Sequence, residues 1–109
     1  MFLPTRNALK RAVMISLAGS RGGVARMKIL AALSEKQMNV NEISRLLSID
    51  YKTSQHHIRV LEKSGLVSSS GEKYGNRYKL STLLESNMDM LAGIWEKVDK
   101  AGKRRINHG

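Results

Sequence analysis

The apolar positions of this chain keep a helical period up to Gly65, change to strand-like spacing over 66–80, and return to a helical period from Thr82. Over 5–18, Leu9, Ala12, Val13, Ser16 and Leu17 recur at helical spacing, and Thr5 is placed to cap the start. Gly19-Ser20-Arg21-Gly22-Gly23 breaks that pattern, with Ser20 positioned to cap a second helix. In this helix Val24, Met27, Leu30, Ala31 and Leu33 form a core side, while Arg26 and Lys28 point elsewhere. Glu35 to Val40 reads as a polar connector. Asn41 then caps a short helix, Glu42 to Leu47, with Ile43, Leu46 and Leu47 inward. Ser48-Ile49-Asp50 is a three-residue turn, and Asp50 caps the next helix, which runs to Ser64 and stops at Gly65. Leu66 to Ser70 and Asn76 to Leu80 read as two strands around the glycine-punctuated turn Gly71-Glu72-Lys73-Tyr74-Gly75. Thr82-Leu83-Leu84-Glu85 is a capping box that opens a helix to about Lys100.

Two short helices joined by so tight a turn, with a hairpin directly behind them, predict a mainly α chain with a small β-hairpin. The expected architecture is a winged helix-turn-helix flanked by N- and C-terminal dimerisation helices. It is divided as a single domain: an N-terminal helix over 5–18, a DNA-binding core over 20–80 with its wing at 66–80, a C-terminal helix over 82–101, and a basic tail over 102–109. In the last helix Leu84, Met88, Leu91, Trp95 and Val98 repeat at heptad spacing, and Leu83, Met90 and Ile94 widen the stripe. That arc is broader than one small core needs. It predicts a homodimer interface, to which Leu9 and Val13 of the N-terminal helix add.

Charge narrows the partner. Nineteen Lys and Arg stand against nine Asp and Glu, a formal net charge of +10, and such a surface attracts polyanions. The absence of Cys removes thiolate metal sites and disulfides and fits a cytoplasmic protein. No apolar run approaches the ~18 residues of a membrane span, so no membrane partner is expected.

The helix from Tyr51 to Ser64 carries the candidate chemistry. At about 100° per residue, Ser54, Ile58 and Leu61 share one face, while Lys52, Gln55, His56, Arg59 and Lys63 share the other, which reads as free of acid. Gln and Arg are side chains that pair bidentately with base edges in the major groove of double-stranded DNA. Gln55, His56 and Arg59 are therefore the expected base readers. Tyr51, Lys52, Thr53 and Lys63 are expected to hold the backbone, with Arg21 at the first turn. Lys73, Tyr74 and Arg77 are the wing residues expected on the adjacent backbone or in the minor groove. His56 and His57 diverge by about 100° and do not chelate one ion together. His57 reads as a hydrogen-bonded packing residue, whereas protonation of His56 is expected to tighten DNA binding. There is no catalytic constellation, and no cofactor or metal site is expected. Two other readings use the same charge: an architectural protein that coats or bends DNA without choosing sequence, and a protein-interaction winged helix within a transcription or replication assembly.

Ser20-Arg-Gly-Gly23, Asn41-Glu-Ile-Ser44, Asp50-Tyr-Lys-Thr53, His56-His-Ile-Arg-Val-Leu61, Gly65-Leu-Val67 and Tyr74-Gly75 with Tyr78-Lys-Leu80 together resemble the ArsR-like superfamily of winged-helix regulators. The look is that of its short archaeal members, over about residues 20 to 82. The resemblance implies a homodimer formed by the terminal helices, a recognition helix at Tyr51 to Ser64, and a wing at Leu66 to Leu80. Ser54 stands where many relatives have Val or Ile, which implies slightly looser packing of that helix. The metal-sensing sets of the family are not reproduced: Glu85, Asp89, Glu96 and Asp99 are present, but the terminal His is His108, in the tail. Any small-molecule effector stays unassigned.

Overall fold

The computed structural model describes residues 5–17, 22–73 and 75–106, with side chains to Lys97. Helices α1 (Arg6–Leu17) and α2 (Gly23–Glu35) precede the helix-turn-helix, α3 (Val40–Leu47) and α4 (Tyr51–Lys63). Strands β1 (Val67–Ser69) and β2 (Tyr78–Leu80) follow, then α5 (Thr82–Glu85) and α6 (Met88–Ile106). The strands pair antiparallel, Val67 opposite Leu80 and Ser69 opposite Tyr78. This is the expected winged helix-turn-helix, and its core is continuous. Val13 and Leu17 of α1, Ile29 and Leu30 of α2, Ile43 of α3, Ile58 and Leu61 of α4, Leu84 of α5 and Leu91 of α6 are all buried together.

Thr5 caps α1 as expected, its hydroxyl accepting from the Ala8 amide at 3.1 Å. Several boundaries and faces differ from expectation. The cap of α3 is Asn39: its side chain accepts from the Glu42 amide, and the Glu42 carboxylate accepts from the Asn39 amide, a complete capping box. The connector is not wholly polar either, because Met38 is buried and exchanges two backbone hydrogen bonds with Tyr78, 2.8 and 3.1 Å long. That bridge fastens the hairpin to the rest of the fold. On α2, Ile29 and Arg26 face inward while Val24 and Ala31 face out, since α2 packs against α1, α3, α4 and β2 and so has no single inner stripe. Leu46 is 58% exposed, leaving Val40 and Ile43 as the buried residues of α3.

The C-terminal helix is interrupted. Ser81, rather than Thr82, caps α5, accepting from the Leu84 amide, and α5 ends at Glu85. Asn87 restarts the helix: its carbonyl accepts from Met90 and its side chain donates to the Leu83 carbonyl. α6 then runs through Ile106, so most of the expected tail has helical backbone. The heptad stripe is also used differently. Leu9, Val13, Leu84 and Leu91 are at most 3% exposed within one chain, so they form its own core and are not open to a partner. Met88 and Trp95 stay half-buried, Met14 and Ile15 of α1 are exposed, and Val98 lies outside the described side chains. Among the described residues no helix is long and apolar enough to cross a membrane.

Candidate nucleic-acid interface

The turn between α3 and α4 sets the aim of α4. Ser48 adopts the left-handed conformation (φ 55°), and its amide and that of Ile49 close onto the last carbonyls of α3. Asp50 caps α4 as expected, accepting from the Thr53 amide at 3.1 Å. Gly65, at φ 77°, ends the helix with backbone bonds to Glu62 and from Leu66 to Leu61. Between the two helices, buried Ser54 accepts from the Ser44 hydroxyl at 2.8 Å and donates to the Asp50 carbonyl at 3.0 Å. The packing at Ser54 is therefore not loose. A polar bridge replaces an aliphatic contact and fixes the angle between brace and recognition helix.

On the outer side of α4, Tyr51, Lys52, His56, Arg59 and Lys63 are exposed and Gln55 is half-buried. Arg59 makes no hydrogen bond or ion pair among the described residues. The face is not free of acid, however: Glu62 is exposed one turn beyond Arg59 and in line with Gln55. Burial, and then the Glu62 carboxylate, push the Tyr78 phenol up from its ordinary value. Thr53 also departs from its expected role, since its hydroxyl donates to the Asp50 carboxylate instead of reaching outward. The two Thr53 bonds hold the Asp50 carboxyl below the usual carboxylate range, so a fixed anion sits at the start of the helix. The adjacent histidines part company as expected: His56 is exposed, and His57 is buried with Nδ1 at 3.1 Å from the Arg26 guanidinium.

The wing is tied inward at its base. Arg77 forms an ion pair with Glu42 of α3 at 3.1 Å and donates to the Gln37 carbonyl at 2.8 Å, so it serves the fold and not the outer surface. Asn76 closes the turn, its Oδ1 accepting from the Gly71 amide and the Ser70 hydroxyl. Gly71 and Gly75 hold φ of 74° and 65°, which a left-handed turn requires. Lys73 is exposed at the tip, with Glu72 beside it. Tyr74 and Arg21 lie outside the described residues. A polar cleft of about 300 Å³ between α3, α4 and the wing brings Tyr51, Gln55 and Lys73 together with Asn39, Asn41 and Asn76. His56, Arg59 and Lys63 do not line it. Asn41, read from the sequence as a cap, is instead an exposed donor at this cleft; the Asn39-x-x-Glu42 spacing is the signal that separates the two asparagines. Among the described residues no group of three His, Asp or Glu is placed to hold a metal ion.

Residues 24–69 match the family of bacterial regulatory proteins called the arsR family. HlyU from Vibrio cholerae superposes with a TM-score of 0.63 at 24% identity, over 83% of this chain and 96% of that one. The solution structure of a homodimeric winged helix-turn-helix DNA-binding domain from Mycobacterium bovis, a possible ArsR-family transcriptional regulator, gives 0.65 at 19% identity, over 88% and 83%. An ArsR-like transcriptional regulator from Rhodococcus sp. RHA1 gives 0.60 at 21%, over 93% and 89%. No curated protein matches the chain by sequence. These likenesses show the winged helix-turn-helix fold. Over residues 24–69 the chain is similar to bacterial regulatory proteins of the arsR family.

Proposed function

We propose that this chain, whose residues 24–69 carry the ArsR-type helix-turn-helix, is a cytoplasmic regulator that binds a specific double-stranded DNA sequence as a homodimer. The observation that carries the reading is the outer face of α4, where Gln55, His56 and Arg59 are accessible and Arg59 makes no hydrogen bond or ion pair among the described residues. Gln55 reads adenine and Arg59 guanine, with His56 beside them. Tyr51, Lys52 and Lys63, with Lys73 from the wing, hold phosphates. Arg21 and Tyr74 keep the backbone and wing roles that the sequence predicts. Thr53 and Arg77 shape the site from within. The quoted motifs align the chain with the short archaeal members of the superfamily.

The dimer uses the terminal helices. Their own core absorbs Leu9, Val13, Leu84 and Leu91, so Met14 and Ile15 of α1 with Met88 and Trp95 of α6 supply the contact, and Val98 extends it. The test is selection of bound duplexes from a random pool by the purified chain at near-physiological salt. An enriched inverted repeat with half-sites about 10–10.5 bp apart is the expected result. Salt-sensitive binding without enrichment would overturn sequence reading and leave an architectural DNA-coating protein, the reading its net charge of +10 supports by itself.

A further inference from the structure

Arg26 and His57 are the buried cation and the buried histidine of the described fold, 6% and 7% exposed, and they touch. Arg26 Nε donates to the Ser16 carbonyl of α1 at 2.7 Å, and its Nη1 lies 3.1 Å from His57 Nδ1 on α4. A guanidinium only donates, so His57 Nδ1 must accept, and the ring must be neutral with its proton on Nε2. A second tie runs alongside. The Ser16 hydroxyl donates to the Ser64 hydroxyl at 3.1 Å, which in turn donates to the Val60 carbonyl at 2.8 Å. His57 and Ser64 are seven residues apart and so lie on the same side of α4. The recognition helix is thus pinned at two levels to the end of α1.

The two glycines before α2 make room for this. A Cβ at Gly22 would run into the Arg26 guanidinium and stand 2.6 Å from His57 Cε1. A Cβ at Gly23 would run into the Leu17 carbonyl at the end of α1. Gly22 sits at φ −88°, so what it provides is space and not an unusual backbone conformation.

We propose that the Arg26–His57 pair is a positioning clamp that holds the recognition helix against α1 and α2 in its DNA-reading pose, and that the clamp closes only while His57 is neutral, so that operator binding weakens on mild acidification. The proposal rests on the DNA-reading function above. Protonated His57 would put a second donor, and a second positive charge, against Arg26. Among the described residues the groups around it offer no relief. α2 presents the Arg26 cation, α4 presents His56 with ring centroids 5.7 Å away, and α1 presents the uncharged carbonyl and hydroxyl of Ser16. Burial first, then Arg26 and His56, lower the His57 pKa from its ordinary 6.5. With the folded value depressed, the clamp's contribution is full above pH 6.5 and is lost as pH falls below it.

The experiment compares the full chain with its His57→Gln variant, which keeps an acceptor for Arg26 and takes up no proton. Both are titrated from pH 8 to 5.5 against a labelled duplex carrying the selected sequence. The ratio of wild-type to variant affinity should be constant above pH 7 and fall steadily from pH 6.5 to pH 5.5, because only the wild type takes up a proton at position 57. His56 is present in both proteins, so its contribution cancels in the ratio. Parallel profiles would overturn the clamp. Ring NMR of the free wild-type chain tests it without DNA or a variant. The expected result is an Nε2-protonated His57 at pH 7.5 that takes up its proton below the ordinary 6.5, with amides 51–63 shifting alongside. An Nδ1-protonated ring would overturn it. Absence of DNA binding at pH 8 would instead count against the proposed function and leave the NMR result to decide the clamp.

Discussion

Arg59 on the recognition helix and Arg77 at the base of the wing are the same residue type on the two elements assigned to DNA, yet the fold uses them in opposite ways. Arg59 stands exposed with no hydrogen bond or ion pair among the described residues, and the acid closest to it along α4 is Glu62, one turn on. Arg77 is held by Glu42 and by the Gln37 carbonyl. Glu42 is the residue that also closes the capping box of α3, so one carboxylate fastens both the brace helix and the wing. In a chain of net charge +10, a cation's sequence position says little about its task. What decides is whether the fold brings it an acid.

Removing each side chain in turn sharpens that contrast. Arg59→Ala is expected to have the largest effect on binding, about 1–3 kcal/mol on the selected duplex with relaxed preference at one base pair. Binding isotherms against single-base operator variants check it. Equal losses on selected and random duplexes would refute the base-reading role. Ser54→Ala should cost about 1 kcal/mol of folding stability, because it removes two buried hydrogen bonds at the hinge between brace and recognition helix. Urea unfolding measures this, and an unchanged midpoint would show that the bridge contributes nothing. Lys73→Ala should weaken binding to every duplex alike and lower the salt slope by about one. A slope that stays the same would remove Lys73 from the phosphate contacts.

Where the chemistry is local, the sequence is legible. The Asp50 cap, the Gly65 stop, the three-residue turn and the hairpin all follow from side chains within four residues of the backbone they control. The split between an exposed His56 and a packed His57 follows from helical angle alone. What escaped depends on partners far along the chain. Arg26 looks like a surface cation until α4 brings His57 against it, thirty-one residues later. Met38 reads as part of a polar connector until Tyr78 pairs with it across the hairpin. The heptad stripe overstates the dimer surface because α1 returns to cover much of it. Two further features lie open in the plain sequence. Asn39-x-x-Glu42 is a capping box in plain sequence, and Glu62 follows Gln55 by two turns, which places it at the edge of the reading face. The roles assigned to Arg21, Tyr74 and Val98 concern positions outside the described residues or side chains.

The smallest expected effect on binding is the one that bears most directly on the contrast between the two arginines. Arg77→Ala should lower DNA affinity less than Lys73→Ala does, although Arg77 carries the same charge and sits on the same hairpin. It should instead reduce stability, by less than Ser54→Ala, since the Arg77–Glu42 pair is partly exposed and screened by solvent. Glu42→Gln should produce much of the same loss, and the double variant little more, because both changes break one contact. The pH dependence has a defined sign. The Asn39 backbone bond, and then Arg77, hold the Glu42 carboxyl below its ordinary value, so its contribution is present at neutral pH and is lost as pH falls through the acid range. The coupling between the two variants should therefore shrink as pH falls below the ordinary carboxylate value of about 4.3. Strictly additive losses at pH 7, or a fall in DNA affinity as large as that of Arg59→Ala, would mean that Arg77 leaves Glu42 for the phosphates when DNA is bound, and the division of labour between helix and wing would have to be redrawn.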